Sequence, residues 1–102
     1  MLPYELTKGA EADLEGISRY TIQEWGEAQA KKYLGKISQG LKNIAARKVS
    51  SRTFSEKFPE VQVVRCEHHF IFYFYSESGK PVILAVLHER MDMLIRLKER
   101  LK

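Results

Sequence analysis

The residues best suited to chemistry in this sequence are Arg65 and His88, each of which stands near the end of a predicted strand. Side chains at strand ends emerge from a sheet towards solvent, so these two could approach each other. With Glu56 or Glu60 from a predicted loop they would supply a base, an acid and a cation. Such a set could abstract a 2′-hydroxyl proton from RNA and stabilise the charge that develops on the phosphate. The alternative is structural, with Arg65 as a salt-bridging edge residue and His88 as a hydrogen-bonding or helix-capping residue.

A second group of reactive side chains, Cys66, His68 and His69, has the residue types of a metal site. On one strand, Cys66 and His68 would share a face while His69 points away. Two ligands are fewer than the three or four that zinc needs, and His88 would have to complete the site by coincidence. We therefore predict no metal site. The sequence also lacks a phosphate-binding glycine loop, a nucleophile elbow and a dinucleotide fingerprint, and we predict no cofactor.

The longest aromatic run, Phe70–Tyr75, has two interpretations. Aromatic side chains beside Arg65 could form a platform on which RNA bases stack. The run is also apolar on both faces, which is typical of a central strand covered on both sides. We favour the central strand.

The first half of the chain predicts two helices that follow a short strand over residues 3–7. Thr7 can cap the first helix, whose apolar stripe recurs at three- and four-residue steps and ends at Trp25. Gly26 then allows a tight turn, and a second helix is predicted from Glu27 to Ala46. Because the break is a single residue, the two helices should form an antiparallel hairpin. The apolar stripe of the first helix consists of Ala10, Leu14, Ile17, Thr21 and Trp25.

The second half predicts a connecting loop over residues 47–60, followed by the strands Val61–Cys66, Phe70–Tyr75 and Val82–Leu87 in an antiparallel meander. A short basic amphipathic helix should follow from Met91 to Lys102. The hairpin can cover only one face of the sheet. The terminal helix could fold over the other face, or a partner could displace it and cover that face.

These elements predict an α+β fold, in which a helical hairpin packs on a small, mainly antiparallel sheet. The element order is β-α-α-β-β-β plus a C-terminal helix, and the place of the first strand in the sheet is left open. We expect one domain over residues 1–102, since that length is ordinary for a single core.

Composition and charge restrict the possible environment. One cysteine excludes a disulfide framework, and no apolar run approaches the ~20 residues that span a bilayer. The N-terminus lacks a basic segment followed by an apolar one, so we expect a cytoplasmic protein without membrane contact. Residues 1–30 carry a net charge of −4 and the remaining 72 residues a net charge of +8. The basic part could attract nucleic acid or an acidic protein, and it could equally be an ordinary mixed surface.

Several segments, taken in order and spacing, resemble the RelE/ParE superfamily of bacterial toxins, and specifically its ParE branch. The resemblance covers nearly the whole chain, from Tyr4 to about Leu101. Its strongest local part is Phe70–Tyr73 followed by Val86–Asp92. Further matching positions are Ala12-Asp13-Leu14-Glu15-Gly16-Ile17 in the first helix, Trp25-Gly26 at the turn, and Ala30 and Tyr33 in the second helix.

The resemblance implies the toxin of a type II toxin–antitoxin module that poisons DNA gyrase by binding and is not an enzyme. It further implies neutralisation by a ParD-type antitoxin within a toxin–antitoxin hetero-oligomer. On this interpretation the target surface should contain Arg65, His88, Arg90, Arg96, Lys98 and Arg100. The antitoxin groove should lie along the open sheet face, with the residues Leu34, Ile37, Leu41, Tyr73 and Tyr75.

Two other functions stay open at this level. The sister branch of RelE-like ribonucleases cleaves ribosome-bound mRNA, and there Arg65, His88 and Glu60 would be the catalytic residues. No tyrosine follows Tyr75, so the C-terminal tyrosine common in that branch is absent. A Pro-x-x-Gly-Arg-like segment common to both branches is replaced by residues 47–52. The third possibility is a toxin fold that has lost its activity.

Overall fold

The computed structural model describes residues 2–101 and has an α+β fold. The strands form one five-stranded sheet in the order β1-β5-β4-β3-β2. The β1–β5 pair is parallel and the other pairs are antiparallel, which confirms a mainly antiparallel sheet. The elements are β1 (Glu5–Leu6), α1 (Lys8–Ala45), β2 (Arg52–Ser55), β3 (Phe58–Cys66), β4 (His69–Tyr75), β5 (Pro81–His88) and α2 (Met93–Arg100).

The helical run α1 folds back on itself at Gly26, as the sequence predicts. Gly26 has φ 84° and ψ 165°, a conformation outside the helical region that only glycine adopts easily. A straight helix of 38 residues would be about 57 Å long, whereas the longest dimension of the molecule is 38 Å. Ala10 from the first arm and Leu41 and Ile44 from the second arm enter the same core cluster. The hairpin is therefore confirmed.

The sheet separates two apolar layers. On the helical face, the arms of α1 pack against Ile71, Tyr73 and Ile83, each of which is fully buried. On the far face, α2 inserts Leu97 against the side chains around Phe72, and both of these residues are also fully buried. Because β4 is the middle strand and is covered on both sides, the prediction of a central strand over Phe70–Tyr75 is confirmed.

The expectation of an open second sheet face is wrong for most of that face. The sequence left two occupants possible, and the structure places α2 there, with Phe54 and Phe58 packed beside it. The helix spans Met93–Arg100, so it is shorter than the predicted 91–102, and Lys102 lies outside the described residues. Asp92 caps α2, since its side chain accepts a hydrogen bond from the Ile95 amide.

The predicted loop over residues 47–60 is wrong in part, because it contains the edge strand β2 and the first residues of β3. Phe54 in β2 packs edge-on against Phe72 of β4, with ring centroids 5.2 Å apart. Strand β2 contains too few apolar residues to show an alternation with period two. For this reason the sequence pattern did not predict it. In the described part of the chain, no helix is both long and apolar enough to cross a membrane.

The edge of β5 beyond β1 is closed by side chains instead of a strand. The Asp13 carboxylate accepts a hydrogen bond from the Val86 amide at 2.9 Å and forms two bonds with the Arg100 guanidinium at 2.7 and 2.9 Å. Arg100 also donates to the Leu84 carbonyl at 3.0 Å. We call these four groups the tail clasp. It joins α1, β5 and α2 at one point.

Candidate functional site

An apolar groove of about 860 Å³ lies between the first arm of α1 and the ends of β4 and β5. Its walls include Ile17 and Tyr20 from the helix, Val86 from β5 and Met91 from the turn after β5. Trp25 stands at one end of the groove and is 66% exposed. A groove of this size with large apolar side chains at its rim is typical of a binding site.

The exposure of Trp25 differs from the prediction. The apolar stripe of the first helix is buried or half-buried as far as Thr21, but residues 22–29 are all exposed. The tip of the hairpin therefore extends beyond the layers that cover the sheet. The sequence could have indicated a contact surface here by one signal: a large aromatic residue, Trp25, directly before the glycine of the turn.

The inner end of the groove is polar and is organised by Tyr33. The backbone amide of His68 donates to the Tyr33 hydroxyl oxygen at 3.2 Å. The single hydroxyl proton of Tyr33 therefore goes to His69 Nδ1, which lies 2.6 Å away. Nδ1 is then an acceptor, and His69 is neutral with its proton on Nε2. Burial, followed by the nearby His88 and His68, lowers the pKa of His69 to about 4, in agreement with this tautomer.

An exposed chain of charged groups borders this polar end. Glu89 accepts from Arg65 at 2.5 Å and contacts His68 Nδ1 at 2.9 Å. The hydrogen bond with His68 is the main reason why the pKa of Glu89 lies below its usual value. Both carboxylate oxygens of Glu89 are engaged, so Arg65 and His68 are held on either side of it.

The predicted approach of Arg65 to His88 does not occur. Arg65 pairs with Phe70, which faces the far side of the sheet, whereas His88 pairs with His69 and faces the helical side. Glu60 lies five residues from Arg65 on β3, about 17 Å along the strand. Glu56 lies in the turn between β2 and β3. The side chains suggested for RNA cleavage are thus on opposite faces or far apart.

The observed contacts of these two residues match the structural alternative. Arg65 forms an ion pair with Glu89 at the end of the sheet. His88 Nδ1 accepts a hydrogen bond from the Arg90 amide at 3.2 Å and so stabilises the turn after β5. His88 also packs edge-on against His69, with ring centroids 5.2 Å apart.

The residues expected on a target surface divide into exposed and internal ones. Four of them are exposed: Arg65, Arg90, Arg96 and Lys98. Arg100 is a correction, because its guanidinium is bound in the tail clasp and its side chain is only 27% exposed. The hydrogen bond with Asp13 raises the pKa of Arg100. Arg100 therefore holds the fold together and has little surface for a partner.

The residues expected in the antitoxin groove need a similar correction. Ile37, Leu41 and Tyr73 are at most 3% exposed, so in this conformation they have no surface for a partner. Leu34 and Tyr75 are half-buried, and Arg47 covers the Tyr75 ring at 4.1 Å from its centroid. The helical seam predicted as a groove is the core of the protein, and the accessible apolar surface lies at the hairpin tip instead.

Side chains of the types that bind metal ions do not cluster within residues 2–101. No group of three or more His, Cys, Asp or Glu side chains in this part of the chain is placed to hold a metal ion. Cys66 contacts the Lys36 carbonyl of α1 with its Sγ atom at 3.5 Å, and burial raises the pKa of its thiol.

Known proteins match this chain over nearly its whole length. The family model described as "ParE toxin of type II toxin-antitoxin system, parDE" matches residues 4–93. The chain is 46% identical over 102 residues to "Toxin ParE" of Escherichia coli, which covers 100% of this chain and 99% of that protein. It is 32% identical over 90 residues to "Toxin ParE1" of Mycobacterium tuberculosis, covering 88% of this chain and 92% of the relative.

A solved structure shares the fold. It is a chain of the "Chromosomal ParDE TA system from P. aeruginosa", with a TM-score of 0.71 and 23% sequence identity. The likeness covers 86% of this chain and 96% of that one.

Proposed function

This chain belongs to the ParE toxin family of type II toxin–antitoxin systems, and on that premise we propose that it inhibits DNA gyrase by binding and is neutralised by a ParD-type antitoxin. Inhibition would take place in the cytoplasm, where gyrase and chromosomal DNA are found. The observation that carries the proposal is the groove beside the hairpin tip, which offers apolar surface for a partner.

The absence of an assembled reaction centre supports a mechanism by binding. Arg65 and His88 occupy opposite faces of the sheet, and the ring nitrogen Nδ1 of His88 is engaged in the turn after β5. General acid–base catalysis needs its groups within hydrogen-bonding reach of one substrate. Glu60 is distant from both residues, and Glu89, which contacts Arg65, has both carboxylate oxygens bound to Arg65 and His68, so neither acid is free to complete that set.

The target surface would be the exposed basic region around α2. Arg90, Arg96 and Lys98 are exposed, and none of them has an ion-pair partner within residues 2–101. Unpaired bases on a protein with a net charge of +4 steer it towards an acidic surface, such as a protein–DNA complex. His88 and Arg65 lie at the same end of the sheet and would contribute at the margin of this surface.

The antitoxin would occupy the apolar groove. Amphipathic segments bind by placing apolar side chains in such a groove, and charged residues at its rim then fix their orientation. Arg90 lies at the rim and would pair with a carboxylate of the antitoxin. Half-buried Leu34 and Tyr75 would add contacts outside the groove only if the antitoxin wraps further around the hairpin.

Brief expression without antitoxin tests the target. We expect double-strand breaks in DNA and no new mRNA 5′ ends. The triple variant Arg90→Ala, Arg96→Ala, Lys98→Ala should lose most of the DNA breaks. A matched triple variant of exposed bases elsewhere, Lys48→Ala, Arg52→Ala, Lys57→Ala, should keep them. Equal loss in both triples would place the target surface elsewhere.

The same experiment decides the ribonuclease alternative and the inactive one. If new mRNA 5′ ends form and are lost in the variant His88→Ala, the protein is a ribonuclease and the proposal of gyrase inhibition is wrong. Unchanged growth on expression of the folded chain would indicate a toxin without activity.

Antitoxin binding is tested separately with Trp25→Ala. Because Trp25 is 66% exposed, its removal should leave stability nearly unchanged but weaken antitoxin binding by about tenfold to a hundredfold, as for a central aromatic contact. Leu2→Ala is the control, since Leu2 is 52% exposed and is not among the residues that line the groove. Titration calorimetry with the purified antitoxin gives both affinities. Unchanged binding by Trp25→Ala would remove the groove from the proposal.

A further inference from the structure

The inner end of the groove contains two histidines that lie side by side in the sheet. His69 is the first residue of β4, His88 is the last residue of β5, and the two are paired in the strand register. Their rings pack edge to face, with centroids 5.2 Å apart, and both residues line the groove. His69 is buried and His88 is half-buried, so two polar rings are largely removed from solvent.

Both rings carry their proton on Nε2. Nδ1 of His69 accepts from the Tyr33 hydroxyl at 2.6 Å, and Nδ1 of His88 accepts from the Arg90 amide at 3.2 Å. A neutral imidazole has one donor nitrogen and one acceptor nitrogen, so Nε2 is the donor in each ring. Contacts with the protein thus fix the same tautomer in both histidines.

The two Nε2–H groups have no acceptor in the protein. Within residues 2–101, the side chains of His69 and His88 form hydrogen bonds through Nδ1 alone. In the same part of the chain, no fully buried side-chain nitrogen or oxygen lacks a partner, so both Nε2 atoms reach the surface. Since both residues line the groove, they present these donors to a molecule that occupies it. An unpaired donor in an apolar site costs free energy, so an occupant that supplies an acceptor is favoured.

The charges around the pair favour an anionic acceptor. Arg90 lines the same groove and has no ion-pair partner among the described residues. The two acids that act on His69, Asp13 and Glu89, are each already bound to an arginine. A carboxylate therefore suits these donors better than a neutral carbonyl does, because its charge is complementary to Arg90. The titratable groups that face His69 are Tyr33, Asp13, His68, His88 and Glu89.

We propose that the Nε2–H groups of His69 and His88 form a carboxylate subsite at the inner end of the groove, filled by an acidic residue of the antitoxin. This subsite rests on the proposed function, which places an antitoxin segment in the groove. Apolar side chains of that segment would pack along Ile17 and Val86, and its carboxylate would reach the two histidines. Each donor then gains a charge-assisted hydrogen bond, which is about twice as strong as a neutral one. The subsite favours antitoxins that carry an acid at this position.

NMR of the chain with isotope-labelled histidines tests the subsite without any substitution. On addition of purified antitoxin, the Nε2–H resonances of His69 and His88 should both shift, and their exchange with water should slow. The pKa of His69, about 4 in the free chain, should increase in the complex, because a carboxylate stabilises the charged ring. A pKa that stays the same or decreases would overturn the proposal, since a neutral acceptor or burial alone has that effect.

Two substitutions of His88 separate the donor from the rest of the ring. His88→Leu removes the Nε2–H group and should weaken antitoxin binding by about tenfold or more. His88→Gln offers an amide N–H in its place and should bind within about threefold of the unsubstituted chain. Both variants lose the ring nitrogen that accepts from the Arg90 amide, so the difference between them reports the donor. Equal affinities of the two variants would contradict the donor pair.

Variants of the antitoxin identify the carboxylate. Each Asp and Glu is replaced by its amide, and residues added after the C-terminus displace the terminal carboxylate. One of these changes should weaken binding by about tenfold to the unsubstituted chain and have little further effect on His88→Leu. If no acid of the antitoxin is coupled to His88, or if only added sodium acetate shifts the histidine resonances, the antitoxin is not the source and the proposal is overturned.

The subsite and the proposed function can fail separately. If Trp25→Ala weakens antitoxin binding but the histidine resonances do not change, the antitoxin occupies the groove and only the carboxylate subsite is wrong. If neither Trp25→Ala nor the histidines respond, the antitoxin binds elsewhere and both are wrong.

Discussion

Tyr33 and His69 form the closest polar contact between the helical hairpin and the sheet, with 2.6 Å between the hydroxyl oxygen and Nδ1. The same hydroxyl accepts the His68 amide, so one side chain from the second arm of α1 fixes both the turn before β4 and the tautomer of the first histidine in that strand. The residues at the inner end of the groove are positioned by this contact.

Replacement of Tyr33 by Phe should destabilise the protein by about 1–2 kcal/mol. The change leaves Nδ1 of His69, a residue that is 8% exposed, without its partner and removes the acceptor of the His68 amide. Urea unfolding followed by circular dichroism measures the difference. Tyr20→Phe is the matched control and should change stability by less than about 0.5 kcal/mol, because Tyr20 is 62% exposed. Equal effects in the two variants would contradict a structural role for the Tyr33 hydroxyl.

Stability should fall as the pH decreases from about 6.5 to about 4. The pKa of His69 is near 6.5 in the unfolded chain and about 4 in the folded protein, so the unfolded state binds more protons in this range. The contribution is complete above pH 6.5 and is lost as the pH approaches 4, with a total of about 3 kcal/mol. Chemical denaturation at several pH values measures the slope.

The assignment of this slope to His69 can be checked directly. In the His69→Gln variant the slope between pH 6.5 and 4 should be reduced. Ring proton shifts in NMR should show His69 neutral at pH 5. Titration of His69 near pH 6.5 would contradict a buried, neutral ring.

Breaking the tail clasp should loosen α2. Arg100→Ala leaves the Asp13 carboxylate, 14% exposed, without its cation, and should cost about 2–3 kcal/mol. Asp13→Ala should cost a similar amount because the Val86 amide also loses its acceptor. The double variant should be less destabilised than the sum, with a coupling above about 1 kcal/mol. Arg96→Ala, on the same helix but exposed, is the control, and full additivity would disprove the contact.

Two glycines in α1 should respond to alanine in opposite directions. Gly26→Ala should destabilise by about 1–2 kcal/mol, because φ at this position is 84° and a Cβ atom is strained there. Gly35→Ala should stabilise by up to about 1 kcal/mol, because Gly35 is helical and a Cβ atom would meet nothing within 4 Å beyond its neighbours in the helix itself. Thermal denaturation compares them. A stabilised Gly26→Ala variant would argue for a continuous helix.

The local elements of this fold follow from the sequence. The spacing of apolar residues predicts both arms of α1, Gly26 marks the turn between them, and the aromatic run Phe70–Tyr75 identifies the central strand. The resemblance of ordered segments to the ParE branch is confirmed by the family match over residues 4–93. These inferences succeed because each depends on residues close together in the chain, where periodicity and backbone preferences act.

The surface that we propose to be functional depends on tertiary structure. Whether α2 or a partner covers the second sheet face depends on the fit of Leu97 and on the pairing of Arg100 with Asp13, which is 87 positions away in sequence. The same long-range packing buries Ile37, Leu41 and Tyr73, leaves Trp25 outside, and turns Arg65 and His88 to opposite faces. Residue types show what a side chain can do, but its exposure and neighbours are set by how distant segments share a limited core, and no local pattern contains that information.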